Sequence, residues 1–125
     1  MDCTIEVVCV PVTDLDRAKA FYADQLGFPV DFDTMAGPMR LIQLTPRGSG
    51  CSVVLGASQM PPGSLQGVQL VVPDIESARA ELVDAGVAVS EVKRFDDRDG
   101  GAFVYFSDPD GNQWAVQEIK ARASS

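Results

Sequence analysis

The sequence predicts an α+β chain built from two copies of a βαβββ module. The first observation behind this is an internal repeat. "VPVTDLDRAKAFYADQLGFPV" and "LVVPDIESARAELVDAGVAV" superpose at an offset of 60, setting Val12 on Val72, Asp14 on Asp74, Leu15 on Ile75, Ala18 on Ala78 and Tyr22 on Leu82. A period that long suits duplication of a small module better than a solenoid. The second is the punctuation of each copy: an apolar β-branched run, a helix start, a glycine stop, then three short strand patterns. The third is size, since 125 residues with 46% hydrophobic and 22% charged side chains suffice for a packed core.

Each copy opens on a strand, "TIEVVCVPV" or "GVQLVV". Thr13 with Asp16, and Asp74 with Ser77, then place side-chain oxygens where the first N–H groups of a helix need acceptors. In the second helix Ile75, Ala78, Leu82 and Ala85 form a narrow apolar stripe, as on a helix lying against a sheet. Gly27 and Gly86 supply the stops. Strands are expected at about 28–34, 40–45 and 51–56, and again at 87–95, 102–107 and 112–119, with hairpin turns at "TPRGSG" and "SDPDGN". The expected organisation is a single domain of two modules, 1–57 and 66–120, joined by a Pro/Gly linker at 58–65, with a frayed "KARASS" end.

Composition narrows the function. A net charge of -8 opposes a nucleic-acid partner, whose phosphates are neutralised by Lys and Arg. No run approaches the ~18 apolar residues that span a bilayer, and "MDCTIEVV" lacks the pattern of a signal peptide, so the expected location is cytoplasmic, away from membranes. Cys3, Cys9 and Cys51 are odd in number and lack CxxC spacing, which suits packed, reduced thiols. A nucleophilic role for Cys9 would need an activating base, and the chain contains no histidine. The acidic run at Asp96, Asp97 and Asp99 lacks the spacing and closing glutamate of a calcium loop and reads as a mobile surface loop.

"VTDLDRAKAFYADQLGF" after the first strand and "FSDPDGNQWAVQEI" near the end together resemble the vicinal oxygen chelate (VOC) superfamily. That group includes glyoxalase I, extradiol dioxygenases, and fosfomycin and bleomycin resistance proteins. The resemblance implies a curved mixed sheet of eight strands, with helices on its convex side and a ligand cavity in its concave side. Metal-dependent members place His, Gln or Glu on the first and last strands of each module. Those positions fall here on Val7, Ser52, Gly67 and Ala115, the assignment of Ser52 resting on turns of different length. Divalent metals in such sites require imidazole or carboxylate donors, so no metal and no other cofactor is expected.

Residues two apart in a strand share a face. Val7 therefore brings Cys9 to the implied cavity face, Gly67 brings Gln69 and Val71, and Ala115 brings Gln113 and Gln117. Ile42, Leu44, Val104, Phe106, Trp114 and Val116 fit the helix side, which leaves Gln43 and Tyr105 for the cavity. The ligand-binding set is thus Cys9, Gln43, Ser52, Gln69, Tyr105 and Gln117. The same positions also suit a water-facing sheet.

The leading functional expectation is a metal-independent binding protein of the bleomycin resistance type, holding an apolar or aromatic small molecule and assembled as a homodimer. A metal-free isomerase, cyclase or lyase is the alternative, although no general base lies on the inferred face. A metal-dependent glyoxalase or dioxygenase with displaced ligands ranks third.

Overall fold

A computed structural model describes residues 1–122. In chain order its elements are β1 (Val7–Val10), α1 (Leu15–Lys19), β2 (Val30–Ala36), β3 (Met39–Leu44), β4 (Ser52–Leu55), β5 (Val68–Val72), α2 (Ile75–Asp84), β6 (Lys93–Arg94), β7 (Ala102–Ser107) and β8 (Gln113–Glu118). The strands form two four-stranded sheets, ordered β1-β4-β3-β2 and β5-β8-β7-β6, rather than one sheet of eight. In each, the first and last strands of a module pair in parallel and the remaining neighbours are antiparallel. Each module thus folds as βαβββ, the α+β arrangement that the repeat predicts. Two compact units result: residues 1–65 together with Pro109–Asn112, and Gln66–Asp108 together with the chain from Gln113 on.

In the first unit Asp14, not Thr13, caps α1: its carboxylate accepts from the Arg17 N–H at 3.0 Å. The Thr13 hydroxyl instead donates to Asp110 at 2.7 Å, which also accepts from Arg17 at 3.1 Å. Thr13 sits one position too early for the cap, and its side chain serves the 109–112 turn. Beyond Lys19 the helix widens to π winding over Ala20–Gln25. The shift is visible in the Leu26 N–H, which reaches the Phe21 carbonyl five residues back at 3.0 Å. Phe21 and Tyr22 are thereby turned inward, where Tyr22 lies 5.1 Å edge-on from Phe21 and 6.2 Å from Phe28. With Val10, Ile42, Leu44 and Leu55 they make the core of this unit. β2 and β3 extend further toward each other than expected, because Gly37 and Pro38 close the hairpin in two residues. Such a loop needs positive φ at its first position, and Gly37 supplies φ 63°.

In the second unit Asp74 caps α2, accepting from the Ser77 N–H at 3.1 Å as expected. The buried Glu118 carboxylate of β8 reaches the same helix end and accepts from Ile75 N–H at 2.9 Å. Ile75, Val104, Phe106, Trp114 and Val116 are buried together, with the Phe106 and Trp114 rings parallel at 6.3 Å. The strand expected over 87–95 shrinks to β6 and an isolated bridge from Val89 to Phe106. Ser90 is one reason: its hydroxyl takes the Tyr105 N–H at 2.9 Å, so a side chain replaces a ladder carbonyl.

The "KARASS" end begins as an ordered 3₁₀ turn over Lys120–Arg122 rather than a frayed tail. The Asp99 carboxylate accepts from the N–H groups of Lys120 and Ala121 at 2.6 and 3.1 Å. Residues 123–125 lie outside the described residues. Asp99 thus has a structural partner, and Asp96 pairs with Arg98 at 2.6 Å, so the acidic loop is internally bonded.

Candidate functional site

The alternation rule sets the site's frame. Ile42, Leu44, Val104, Phe106, Trp114 and Val116 are buried, while Gln43, Tyr105, Gln113, Ala115 and Gln117 keep exposure on the other parity. In the second unit two rows cross the sheet: Gln69 on β5, Ala115 on β8 and Tyr105 on β7, then Val71, Gln117 and Phe103. The rings of Phe103 and Tyr105 are parallel, 6.2 Å apart, and Phe95 meets Phe103 edge-on at 5.8 Å.

A pocket of about 590 Å³ opens in this unit. Gln66, Gly67, Gln69, Tyr105, Ser107, Gln113 and Ala115 line it, together with Phe106 and Trp114, whose side chains are buried in the core. That volume falls within the range of small-molecule sites. Among the described residues the amides of Gln69 and Gln113 and the hydroxyl of Tyr105 make no hydrogen bond to protein. Tyr105 is 40% exposed despite its size. Gln117 differs, because its Nε2 donates to the Gly100 carbonyl at 2.8 Å and it does not line the pocket. The structure therefore brings Gln69 and Tyr105 together and ties Gln117 to the loop before β7.

Cys9, Gln43 and Ser52 belong to the first unit. Cys9 is a half-buried free thiol on β1, paired with Val54, and Gln43 of β3 pairs with Val54 from the other side. Neither Gln43 nor Ser52 stands alone. Gln43 donates to the Asp31 carboxylate at 3.0 Å, Thr45 donates to the same oxygen, and Ser52 and Thr45 share a hydrogen bond of 2.7 Å. These hydroxyl and amide donors hold the Asp31 carboxyl below its ordinary range, Thr45 contributing most.

The alternation rule extends from Gln43 to Thr45 and from Tyr105 to Phe103, two residues that the expected set omits. Asp31 was hidden for another reason. The β2–β3 register slips between Val30 and Phe32, leaving Asp31 as the extra residue of a β-bulge. Its carboxylate turns to the Gln43 side, whereas Asp33, opposite Ile42, turns to α1. There Arg40 and Lys19 bind Asp33 at 2.8 and 2.9 Å and hold its carboxyl far below the usual range, Arg40 having the larger effect.

Register also refines the superfamily's metal positions. Val7 pairs with Ser52 and Cys9 with Val54, while Gln69, the repeat partner of Cys9, pairs with Ala115. The equivalent of Ala115 in the first unit is therefore Val54, not Ser52; the unequal turns concealed this. Val7, Val54, Gly67 and Ala115 offer no donor atom, and the Ser52 hydroxyl is already bound to Thr45. Among the described residues no three His, Cys, Asp or Glu side chains gather into a metal-holding group. These residues do not fit a divalent ion.

Residues 4–116 match the Glyoxalase/Bleomycin resistance protein/Dioxygenase superfamily, and the chain belongs to it. Among solved structures it is similar to TnmS3, an antibiotic binding protein from Streptomyces sp. CB03234, with 35% identity, a TM-score of 0.83 and coverage of 94% of this chain and 97% of that one. A glyoxalase/bleomycin resistance protein from the same Streptomyces is 36% identical, with a TM-score of 0.80 and coverage of 92% and 100%. YetH of Bacillus subtilis (strain 168) is 29% identical over 119 residues, covering 91% of this chain and 97% of that protein.

Proposed function

We propose that this protein binds an apolar or aromatic small molecule without a metal ion and holds it rather than transforming it. The observation that carries this reading is the pocket of about 590 Å³, whose lining has Tyr105 as its one ionisable side chain. Apolar wall and unengaged amide and phenol groups suit orientation of a ligand. Proton transfer at neutral pH would need a base of matched pKa, and a phenol is a poor one. The resemblance to an antibiotic binding protein adds support. A homodimer in the cytoplasm belongs to the same proposal: β2 is a sheet edge whose seven residues are all exposed, Phe32 and Met35 among them, and three free thiols suit a reducing compartment.

The test is a thermal-shift and native mass-spectrometry screen of aromatic compounds with chelator present. A ligand at about 100 times its dissociation constant should stabilise the fold by roughly 2.7 kcal/mol. Gln69→Ala and Tyr105→Phe should lower that shift and leave the unliganded melting temperature near wild type. A shift retained in full by both variants removes the pocket from the proposal. Metal-free turnover of the bound compound would replace sequestration with catalysis. Light scattering that returns 13.3 kDa would remove the dimer.

A further inference from the structure

We propose that the pocket of the second unit selects one class of ligand: an uncharged, flat ring system whose edge carries a hydrogen-bond donor beside an acceptor, as in a lactam fused to an aromatic ring. This rests on the small-molecule reading above and narrows it by shape, charge and edge chemistry.

The shape follows from Tyr105. Phe103, Tyr105 and Ser107 alternate along β7 and share one face of the sheet. The rings of Phe103 and Tyr105 are parallel at 6.2 Å, and Phe103 does not line the pocket, whereas Tyr105 and Ser107 do. Phe103 therefore covers one face of the phenol ring, and the pocket meets the other. Ser107 is the next residue of that face along the strand and Ala115 the neighbour of Tyr105 across the sheet, so only small side chains rise beside the open face. A flat ring can lie there and extend the parallel pair. A saturated ring, thicker and without a π-face, gains less from the contact.

Charge and edge chemistry follow from the rest of the lining. No Lys, Arg, Asp or Glu lines the pocket, so a ligand ammonium or carboxylate would leave water without meeting an opposite charge. The amides present are those of Gln66, Gln69 and Gln113, none of which bonds to protein among the described residues. Gln69 and Gln113 flank Ala115: Gln69 pairs with it across the sheet, and Gln113 precedes it by two positions on β8. Each amide has a carbonyl that accepts and an NH₂ that donates. A ligand with a wholly apolar edge would cover these groups and leave them unpaired, which costs affinity; a donor beside an acceptor satisfies both kinds.

The experiment uses four probes with one bicyclic frame: 2-quinolinone, its saturated counterpart octahydro-2-quinolinone, 2-quinolinecarboxylate and N-methylquinolinium. Each is titrated into the full chain at neutral pH and followed by NMR of the glutamine side-chain amides. The expected result is a shift of the Gln69 and Gln113 amides with 2-quinolinone, at an affinity about tenfold above that for each of the other three. Tyr105→Leu, which keeps an apolar side chain and removes the ring, should bring 2-quinolinone and its saturated counterpart within about twofold of each other. Gln69→Glu, of the same shape but charged, should turn the preference toward N-methylquinolinium. Dispersed amide spectra of both variants will confirm that they fold. A saturated or charged probe that matches 2-quinolinone in the wild type overturns the proposal. So does a flat-ring preference that survives Tyr105→Leu, or a preference for the neutral probe that survives Gln69→Glu. If all four probes move Gln69 and Gln113 with equal affinity, the ligand class falls and the pocket stands. If none moves either amide, the pocket falls with it.

Discussion

The side chain of Asn112 donates to the carbonyl of Pro11 at 2.8 Å, joining residues 101 apart in sequence. The same buried amide accepts from Leu65 N–H at 3.0 Å. Beside it, Asp110 receives Thr13 and Arg17. The "DPDGN" turn is thus a structural clasp, which answers what its polar residues are for in a chain whose β8 lacks a chelator.

Removing that clasp should be costly. Asn112→Ala leaves the Leu65 N–H without this acceptor and the Pro11 carbonyl with the Gly63 N–H at 3.3 Å. Urea unfolding should register a loss of about 1–3 kcal/mol, the cost of a buried group left unpaired. Asn112→Asp keeps the acceptor for Leu65 and should lose less.

Asp33 should titrate well below an ordinary aspartate, because Arg40 and Lys19 favour its ionised form. The folded pKa is depressed, so the associated stability is fully present above the unfolded pKa of about 3.9 and declines as pH falls through the folded value. Carboxyl NMR will show Asp33 still ionised at pH about 3, where unperturbed aspartates are mostly protonated. In Arg40→Ala its midpoint should rise toward the ordinary range; an unchanged midpoint would reject the ion pair as the cause.

Gln117→Ala should act on the loop before β7, since Gln117 holds the Gly100 carbonyl at 2.8 Å. Hydrogen exchange at residues 96–101 should quicken. Binding should change less than in Tyr105→Phe, in contrast to the equal roles expected from strand parity.

Trp114→Ala should cost about 3–5 kcal/mol through an internal cavity, as the indole is 2% exposed. Tyr105→Ala, at a 40% exposed site two strand positions from Phe103, should cost under about 1.5 kcal/mol. Parallel denaturant melts would reveal a reversed order, which would contradict the division of faces.

Much of the fold was legible because it follows from short-range periodicity. The repeat and the alternation around Ile42, Leu44, Val104 and Trp114 report which face is buried, whatever the tertiary detail. The glycine stops read equally well, with Gly27 at φ 76° and Gly86 at φ 83°. What escaped depends on partners distant in sequence. Asp14 displaced Thr13 as cap because Thr13 is engaged by Asp110. Ser90 curtailed β6 by bonding to Tyr105, and Gln117 was diverted by Gly100. Asp31 was the most concealed, since alternation assigns it to the face of Asp33 and the bulge sends it to the other.

That bulge separates two structural tasks that a regular strand would couple. Asp33 helps fasten α1 to its sheet, while Asp31 accepts from Gln43 and Thr45 on the opposite face. A substitution at Asp31 alters what that surface offers without disturbing the ions beneath α1. One inserted residue therefore lets a single edge strand set carboxylates on both of its faces.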